Sequence, residues 1–223
     1  MATDSNALLS YIQTNLQSTF VMLDIGCKTG KWLVPFVTTF PSAEFHSFEA
    51  LPEQYARAVH RFRKSPNVKA YNCVLSDRTE NTYFYRDKKR MGWSGLRKHQ
   101  YLEEHDEISV ETITIDSMAL TADVIKIDVE GAELPVLQGA RHTLENCKVV
   151  FFECNEVHFK EYNYTAEQLY DFFVEQNFTI FDLDLEKVSK EHFVFLTSDQ
   201  RRYENFDNRM GNFFGIKNEK PLE

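Results

Sequence analysis

The chain has 223 residues, 43% of them hydrophobic, with 19 Phe and 10 Tyr; that is enough apolar area for one α/β domain with a full core. Its formal net charge is −9, whereas a duplex or an anionic lipid surface calls for a basic face, so neither nucleic acid nor membrane is an expected partner. No Pro/Gly/Ser-rich linker, repeat or low-complexity tract divides the chain, so a single domain is expected, with an N-terminal helical extension over 1–18, a core over 20–197 and a C-terminal tail over 198–223.

Residues 1–17 are polar and mixed, unlike a secretory signal or a membrane span, which points to a cytoplasmic protein. Residues 20–25 read as a buried strand, followed by a glycine turn and a helix over 31–39. A second strand over 43–48 leads to Pro52, which suits the first turn of a helix running to residue 64. A third strand is expected over 68–75, with shorter ones over 82–85 and 108–115. A strand over 124–128, a helix over 133–144, a strand over 149–153 and a helix over 165–176 follow. Residues 178–183 and 192–196 fit a closing hairpin. Continuous apolar strands alternating with helices predict a parallel sheet covered on both faces. Ligands in such sheets bind beyond the carboxyl ends of the strands, where Asp24, Glu49, Ser76, Asp128 and Glu153 all fall. Cys27, Cys73, Cys147 and Cys154 form no CxxC pair and no zinc spacing, so they read as reduced thiols. Asn163-Tyr164-Thr165 and Asn177-Phe178-Thr179 match the glycosylation pattern but carry no weight without a secretory route.

The first motif is Asp24-Ile25-Gly26-Cys27-Lys28-Thr29-Gly30. Gly26 permits a tight turn directly after the strand, and Gly30 a close backbone approach as the next helix begins. Amides at that helix start can receive a carboxylate, such as the methionine end of S-adenosylmethionine, and Asp24 can answer the ammonium group. Glu49, in Phe48-Glu49-Ala50-Leu51-Pro52, ends the second strand nineteen residues after Gly30. A carboxylate there can accept from both ribose hydroxyls, with Ala50 and Leu51 as an apolar floor for adenine. A dinucleotide site needs GxGxxG; only Gly26 and Gly30 are present, spaced GxxxG with Asp24 ahead, which favours the methyl donor.

The stretch Asp123-Val124-Ile125-Lys126-Ile127-Asp128-Val129-Glu130-Gly131-Ala132-Glu133-Leu134-Pro135-Val136-Leu137-Gln138-Gly139-Ala140 resembles the signature of the FkbM family of methyltransferases. Phe48-Glu49-Ala50-Leu51-Pro52, Leu75-Ser76-Asp77 and Thr114-Ile115-Asp116-Ser117 match that family's layout in order. The resemblance runs over about residues 20–183. It implies a class I Rossmann-like methyltransferase: a mostly parallel seven-stranded sheet, helices on both faces and a C-terminal antiparallel hairpin. It also implies transfer to oxygen, with sugars and polyketide-type hydroxyls among the acceptors. Carried over by position, Asp24, Gly26, Gly30, Glu49, Leu75, Ser76 and Asp128 belong to the cofactor site; Cys27 in the glycine turn and the adenine floor of Ala50 and Leu51 complete the expected set. Leu75 and Ser76 would border adenine, and Asp128 would face the reacting centre. The expected acceptor is a deoxysugar or glycan terminus. The alternatives are a polyketide, lipid-linked or nitrogen acceptor, or a binding module that keeps the fold without catalysis.

Methyl transfer from a sulfonium needs alignment of acceptor, methyl and sulfur, and an alcohol must also lose a proton. Asp128 is the first candidate for base or acceptor anchor, against an ordinary helix N-cap role. Glu153 ends the next strand and His158 follows it; both are further catalytic candidates. Asp128, Glu130 and Glu153 could instead hold a hard cation such as magnesium, although metal dependence is not expected. Residues 86–99 are a basic run in an acidic chain, with Trp93 between Gly92 and Gly95. An aromatic ring stacks on a sugar face and glycines let a lid move, so Trp93, Ser94 and Arg97, with Glu130, are the expected acceptor-binding residues; the plain alternative is a solvated loop.

Overall fold

The computed structural model describes residues 2–89, 91–99, 102–198 and 211–219. The elements in chain order are α1 (Ala2–Asn15), β1 (Val21–Ile25), α2 (Val34–Thr39), β2 (Glu44–Glu49), α3 (Pro52–Phe62), β3 (Val68–Asn72), β4 (Val74–Leu75), β5 (Glu80–Asp87) and β6 (His105–Ile113). They continue with β7 (Val124–Ile127), α4 (Glu133–Gln138), α5 (Arg141–Leu144), β8 (Val149–Glu153), α6 (Glu156–Phe159), α7 (Ala166–Glu175), β9 (Phe178–Phe181), α8 (Lys190–Thr197) and β10 (Asn212–Lys217).

Seven strands form one sheet in the order β3-β2-β1-β7-β8-β10-β9. β2, β1, β7 and β8 pair in parallel, as do β2 and β3, and β10 runs antiparallel to both of its neighbours. Alternate residues feed two cores, as a pleated strand buried on both faces requires. Leu23, Ile125, Val150 and Phe152 pack with Leu137, Leu169 and Phe173 from α4 and α7. Met22, Val124, Val149 and Phe151 pack with Leu8, Ile12 and Phe36 from α1 and α2. The fold is thus the expected Rossmann-like one. Among the described residues no helix is long and apolar enough to cross a membrane.

Several elements differ from the sequence expectation for local reasons. The third strand breaks at Cys73: β3 stays beside β2, while β4 leaves to pair with β6 in a separate three-stranded sheet. The helix after β1 begins at Val34 rather than residue 31. The helix expected over 133–144 is two short pieces that meet at Gly139, where a Cβ would sit 2.1 Å from the Ser76 carbonyl oxygen. α7 falls within the expected 165–176 and starts at a capping box, with Thr165 Oγ1 accepting from Gln168 N–H and Gln168 Oε1 accepting from Thr165 N–H.

The expected strand over 192–196 is helix α8, capped by Ser189, whose side chain accepts from His192 N–H. Its apolar run fits either period. The antiparallel partner of β9 comes from further along, in the stretch read as a tail: β10 lies between β8 and β9. Residues 199–210 and 220–223 of that tail lie outside the described residues.

β10 is an inner strand, so its loss should be felt in the core. Phe214 is fully buried, 5.1 Å from the Phe151 ring and 5.5 Å from Tyr11. Phe214→Ala should cost about 3–5 kcal/mol, read by urea denaturation; a cost within about 0.5 kcal/mol, as at ordinary surface positions, would remove β10 from the core.

Candidate active site

The strand order reverses between β1 and β7, which is where open parallel sheets leave a crevice at their carboxyl ends. A cavity of about 360 Å³ opens there, within the range of small-molecule sites. Ala50, Leu51, Val74, Leu75, Phe84 and Leu96 form its apolar wall, and Lys28, Asp128 and Glu130 give it a charged one.

The turn after β1 is set by Gly26, at φ +76°, where a Cβ would lie 1.9 Å from the Asp128 carbonyl oxygen. Any side chain there would force β1 and β7 apart. The Gly26 and Cys27 amides both donate to Phe48 O at 3.0 Å, docking the turn on β2. Cys27 is buried outside the cavity lining, and burial pushes its thiol up to about 12. Gly30 also lies off the cavity. Its φ is +71° and a Cβ would meet Phe62 Cε2 at 2.4 Å, so this glycine serves packing on α3 rather than approach to a ligand. With α2 starting only at Val34, the helix-start amides expected at residue 31 are replaced by a succession of turns.

Glu49 sits between Lys28 and Leu51, on the cavity wall. Its Oε2 accepts from Lys28 N–H at 2.8 Å and its Oε1 from Leu51 N–H at 2.9 Å. Burial raises its pKa, opposed by these amides and by Lys28. Each carboxylate oxygen has two lone pairs, so one on each remains to accept a hydroxyl.

Beneath the cavity lies Lys126, buried in the middle of β7. Its Nζ donates to Gly26 O at 3.1 Å and lies 3.2 Å from Asp24 Oδ1 and 3.6 Å from Asp128 Oδ2. Burial opposes its charge, but the two carboxylates prevail and hold its pKa above the ordinary value. Asp24 is therefore engaged from below: it is fully buried and does not line the cavity, so the expectation that it receives a ligand ammonium gives way to an ion pair across the β1–β7 seam. Asp128 does line the cavity, 3.6 Å from both Lys126 and Lys28. Burial pushes its carboxyl up, yet the two lysines together hold it below the ordinary range.

Glu130 adopts φ +56° and faces two partners, Lys28 Nζ at 3.4 Å and His158 Nδ1 at 2.9 Å. His158 is buried and its Nε2 has no hydrogen-bond partner among the described residues. Glu133 ties the 129–131 turn together: it accepts from the Val129 and Gly131 amides and from Tyr164 O–H, and burial brings it to about 7. Glu153, at the end of β8, is raised to about 8 by burial and by Asp128, Glu130 and Glu133. Glu153 and His158 stand behind the cavity wall rather than on it. The alternative cation set of Asp128, Glu130 and Glu153 is not assembled: Lys28 stands between the first two. Among the described residues no three His, Cys, Asp or Glu side chains are placed to hold a metal ion.

The basic stretch does reach the cavity. Gly92, Ser94, Gly95 and Leu96 line it, and the loop is pinned by Gly95 N–H to Tyr85 O at 3.1 Å and by Leu96 N–H to Tyr162 Oη at 3.0 Å. Trp93 turns away to pack edge-on against His99 and His158, at 5.3 and 5.2 Å. Arg97 is exposed above the Tyr162 ring, and Arg90 lies outside the described residues. Ser76 is also off the cavity, its hydroxyl donating to Asp77 Oδ1 at 3.2 Å; Cys73, Val74 and Leu75 hold that edge instead. The sequence reading passed over Lys28, Lys126, Gln54 and Tyr162. For Lys126 a signal existed: a charge inside the apolar strand Val124–Ile127 must find a counter-charge.

Residues 24–180 match the family described as Methyltransferase FkbM domain. The chain is 29% identical over 154 residues to 2-O-methyltransferase NoeI of Sinorhizobium fredii (strain NBRC 101917 / NGR234); the match covers 61% of this chain and 63% of that protein, under two thirds of the relative's length. Among solved structures, precorrin-6y C5,15-methyltransferase from Geobacter metallireducens GS-15 superposes with a TM-score of 0.50 at 12% identity, covering 96% of this chain and 87% of that one. At that identity the likeness concerns the fold alone.

The carboxylate cluster has a consequence for stability. Glu153 is protonated in the folded chain up to about pH 8 but ionises near 4.5 when unfolded. Its raised pKa therefore gives stability that is fully present below the unfolded value and lost as pH rises through the folded one; Glu133 acts in the same sense. Glu153→Gln should gain on the order of 2 kcal/mol over the wild type between about pH 5.5 and about pH 8.5. Denaturant melts at both pH values measure this; an equal difference at both would contradict the assignment.

Proposed function

The chain belongs to the FkbM methyltransferase family, and we propose that it is an S-adenosylmethionine-dependent O-methyltransferase acting on a hydroxyl of a small acceptor, a deoxysugar or glycan terminus. The reading takes the whole chain as one methyltransferase domain working in the cytoplasm. The observation that carries it is Glu49 on the cavity wall, with each oxygen fixed by one backbone amide and so keeping one lone pair. That donor-free pair fits the two hydroxyls of a ribose, and the apolar wall of Ala50, Leu51, Val74, Leu75 and Phe84 fits an adenine. Oxygen as the nucleophile is supported by the relative's description as a 2-O-methyltransferase.

When bound, S-adenosylmethionine supplies a methyl group on a sulfonium that is already a good leaving group. This chain's residues then have to hold the acceptor and take its proton. Asp128, with its pKa held down between Lys126 and Lys28, is a weak base and a good hydrogen-bond acceptor, so its role is to anchor the acceptor hydroxyl. His158 is the better base, and because it stands behind the cavity wall it reaches the acceptor through Glu130, which lines that wall. Glu130 fixes its Nδ1 at 2.9 Å and its Nε2 is left without a partner among the described residues; a carboxylate-oriented imidazole keeps a lone pair on the far nitrogen. Glu153, raised to about 8, already carries a proton at neutral pH, so the acceptor's proton passes from His158 to solvent. Trp93 is turned away against His158, so the acceptor contacts fall to Ser94 on the cavity wall and to the exposed Arg97.

Titration calorimetry and a labelled-methyl screen over deoxysugars and glycosides test the reading together. Glu49→Ala should weaken S-adenosylmethionine by roughly 2 kcal/mol, and His158→Ala should lower kcat about 10²-fold or more with cofactor affinity unchanged. Unaltered affinity in Glu49→Ala would remove the ribose role. An active His158→Ala enzyme would return the proton to Asp128.

A further inference from the structure

We propose that Gln54 selects the base of the cofactor, accepting a hydrogen bond from the exocyclic amine of adenine and disfavouring the 6-oxo purine; this rests on the cofactor reading above. Gln54 lies in the first turn of α3, three residues beyond Leu51, and its side chain lines the cavity beside the apolar wall. Its Oε1 is buried and has no hydrogen-bond partner among the described residues. A buried amide oxygen without a donor is unfavourable. A turn of the terminal amide, about a broad torsion, brings that oxygen toward a donor placed in the cavity.

The other candidates for reading the base edge fall away. Ser76 and Asp77 do not line the cavity: the Ser76 hydroxyl donates to Asp77, which also faces Arg78 at 3.8 Å. Arg57 lines it but can only donate, so it cannot receive an amine. The Cys73 thiol, pushed up to about 11 by burial, is neutral and a weak acceptor. Glu49 is assigned to the ribose at the neighbouring position, where the Lys28 and Leu51 amides fix its two oxygens. Gln54 remains as the amide able to receive an amino group at this wall. A site built around a hydrogen bond rejects an analogue that cannot make it. A 6-oxo purine sets oxygen against oxygen, and because the reversed amide can present Nε2 to it, the wild-type preference is modest. A carboxylate at this position, acceptor only, cannot reverse.

The test is titration calorimetry of the full chain with S-adenosylhomocysteine and with its deaminated form, S-inosylhomocysteine. Wild type should prefer the adenosyl compound. Gln54→Leu should bind it about five- to tenfold more weakly, with the preference shrinking toward unity. Gln54→Glu should keep adenosyl binding and widen the preference, which separates base selection from a packing defect; melting curves confirm that both variants fold. If Gln54→Leu keeps wild-type affinity or wild-type preference, the assignment of Gln54 is overturned while the cofactor reading stands. If wild type binds neither compound, the cofactor reading itself fails, and this inference with it.

Discussion

A single buried ammonium organises the functional end of this molecule. Lys126 Nζ is held by the Gly26 carbonyl and by the carboxylates of Asp24 and Asp128, all at the point where strand order reverses between β1 and β7. Charges in an apolar core persist only when paired, and removing one partner of such a pair typically costs about 3–5 kcal/mol. The lysine therefore binds the two strand ends to each other, and the missing Cβ of Gly26 lets them close: a methyl group there would lie 1.9 Å from the Asp128 carbonyl. From that closure follow the turn at Lys28, the amide that fixes Glu49 and the position of Asp128 on the cavity wall.

The same electrostatics divides labour among the acidic residues. Asp128 has two lysines within 3.6 Å and stays ionised. Glu133 and Glu153 lie in the same neighbourhood without an ion-pair partner among the described residues and are pushed toward neutrality. Groups of one chemical type, set apart in pKa by their surroundings, make an anchor and a proton reservoir from one cluster. Lys28 decides which carboxylate is which, because its ammonium reaches Asp128 and Glu130 but makes no ion pair with Glu153. Its place between the first two carboxylates is also where a bridging cation would need to sit.

The sheet and the cofactor-facing corner were legible in the sequence because they rest on short-range rules. Apolar strands fix the parallel core, and the Asp24-to-Gly30 turn with Glu49 beyond it locates the crevice. What the sequence did not reveal depends on distant partners. Asp24 and Lys126 are neighbours in register across β1 and β7 but 102 positions apart in the chain, so a strand-end aspartate reads as open to ligand when it is sealed. β10 is separated from β9 by a whole helix, and α8 carries an apolar run that suits either period. Trp93 was read from its flanking glycines as facing the cavity; the bridge between Tyr85 and Gly95 directs it instead against His99 and His158. Gly30 shows the same limit, since its need for a bare Cα comes from Phe62, thirty-two residues later.

The central claim is that the crevice between Glu49 and Asp128 holds the methyl donor with its ribose on Glu49 and its reacting end toward Asp128. A crystal structure of the protein with S-adenosylhomocysteine tests it most directly. The account predicts both ribose hydroxyls within hydrogen-bond distance of Glu49 Oε1 and Oε2, about 2.5–3.0 Å, with the base against Leu51 and Leu75 and the sulfur nearest Asp128. A ligand bound elsewhere, or one lying in this crevice with its ribose away from Glu49, would contradict it.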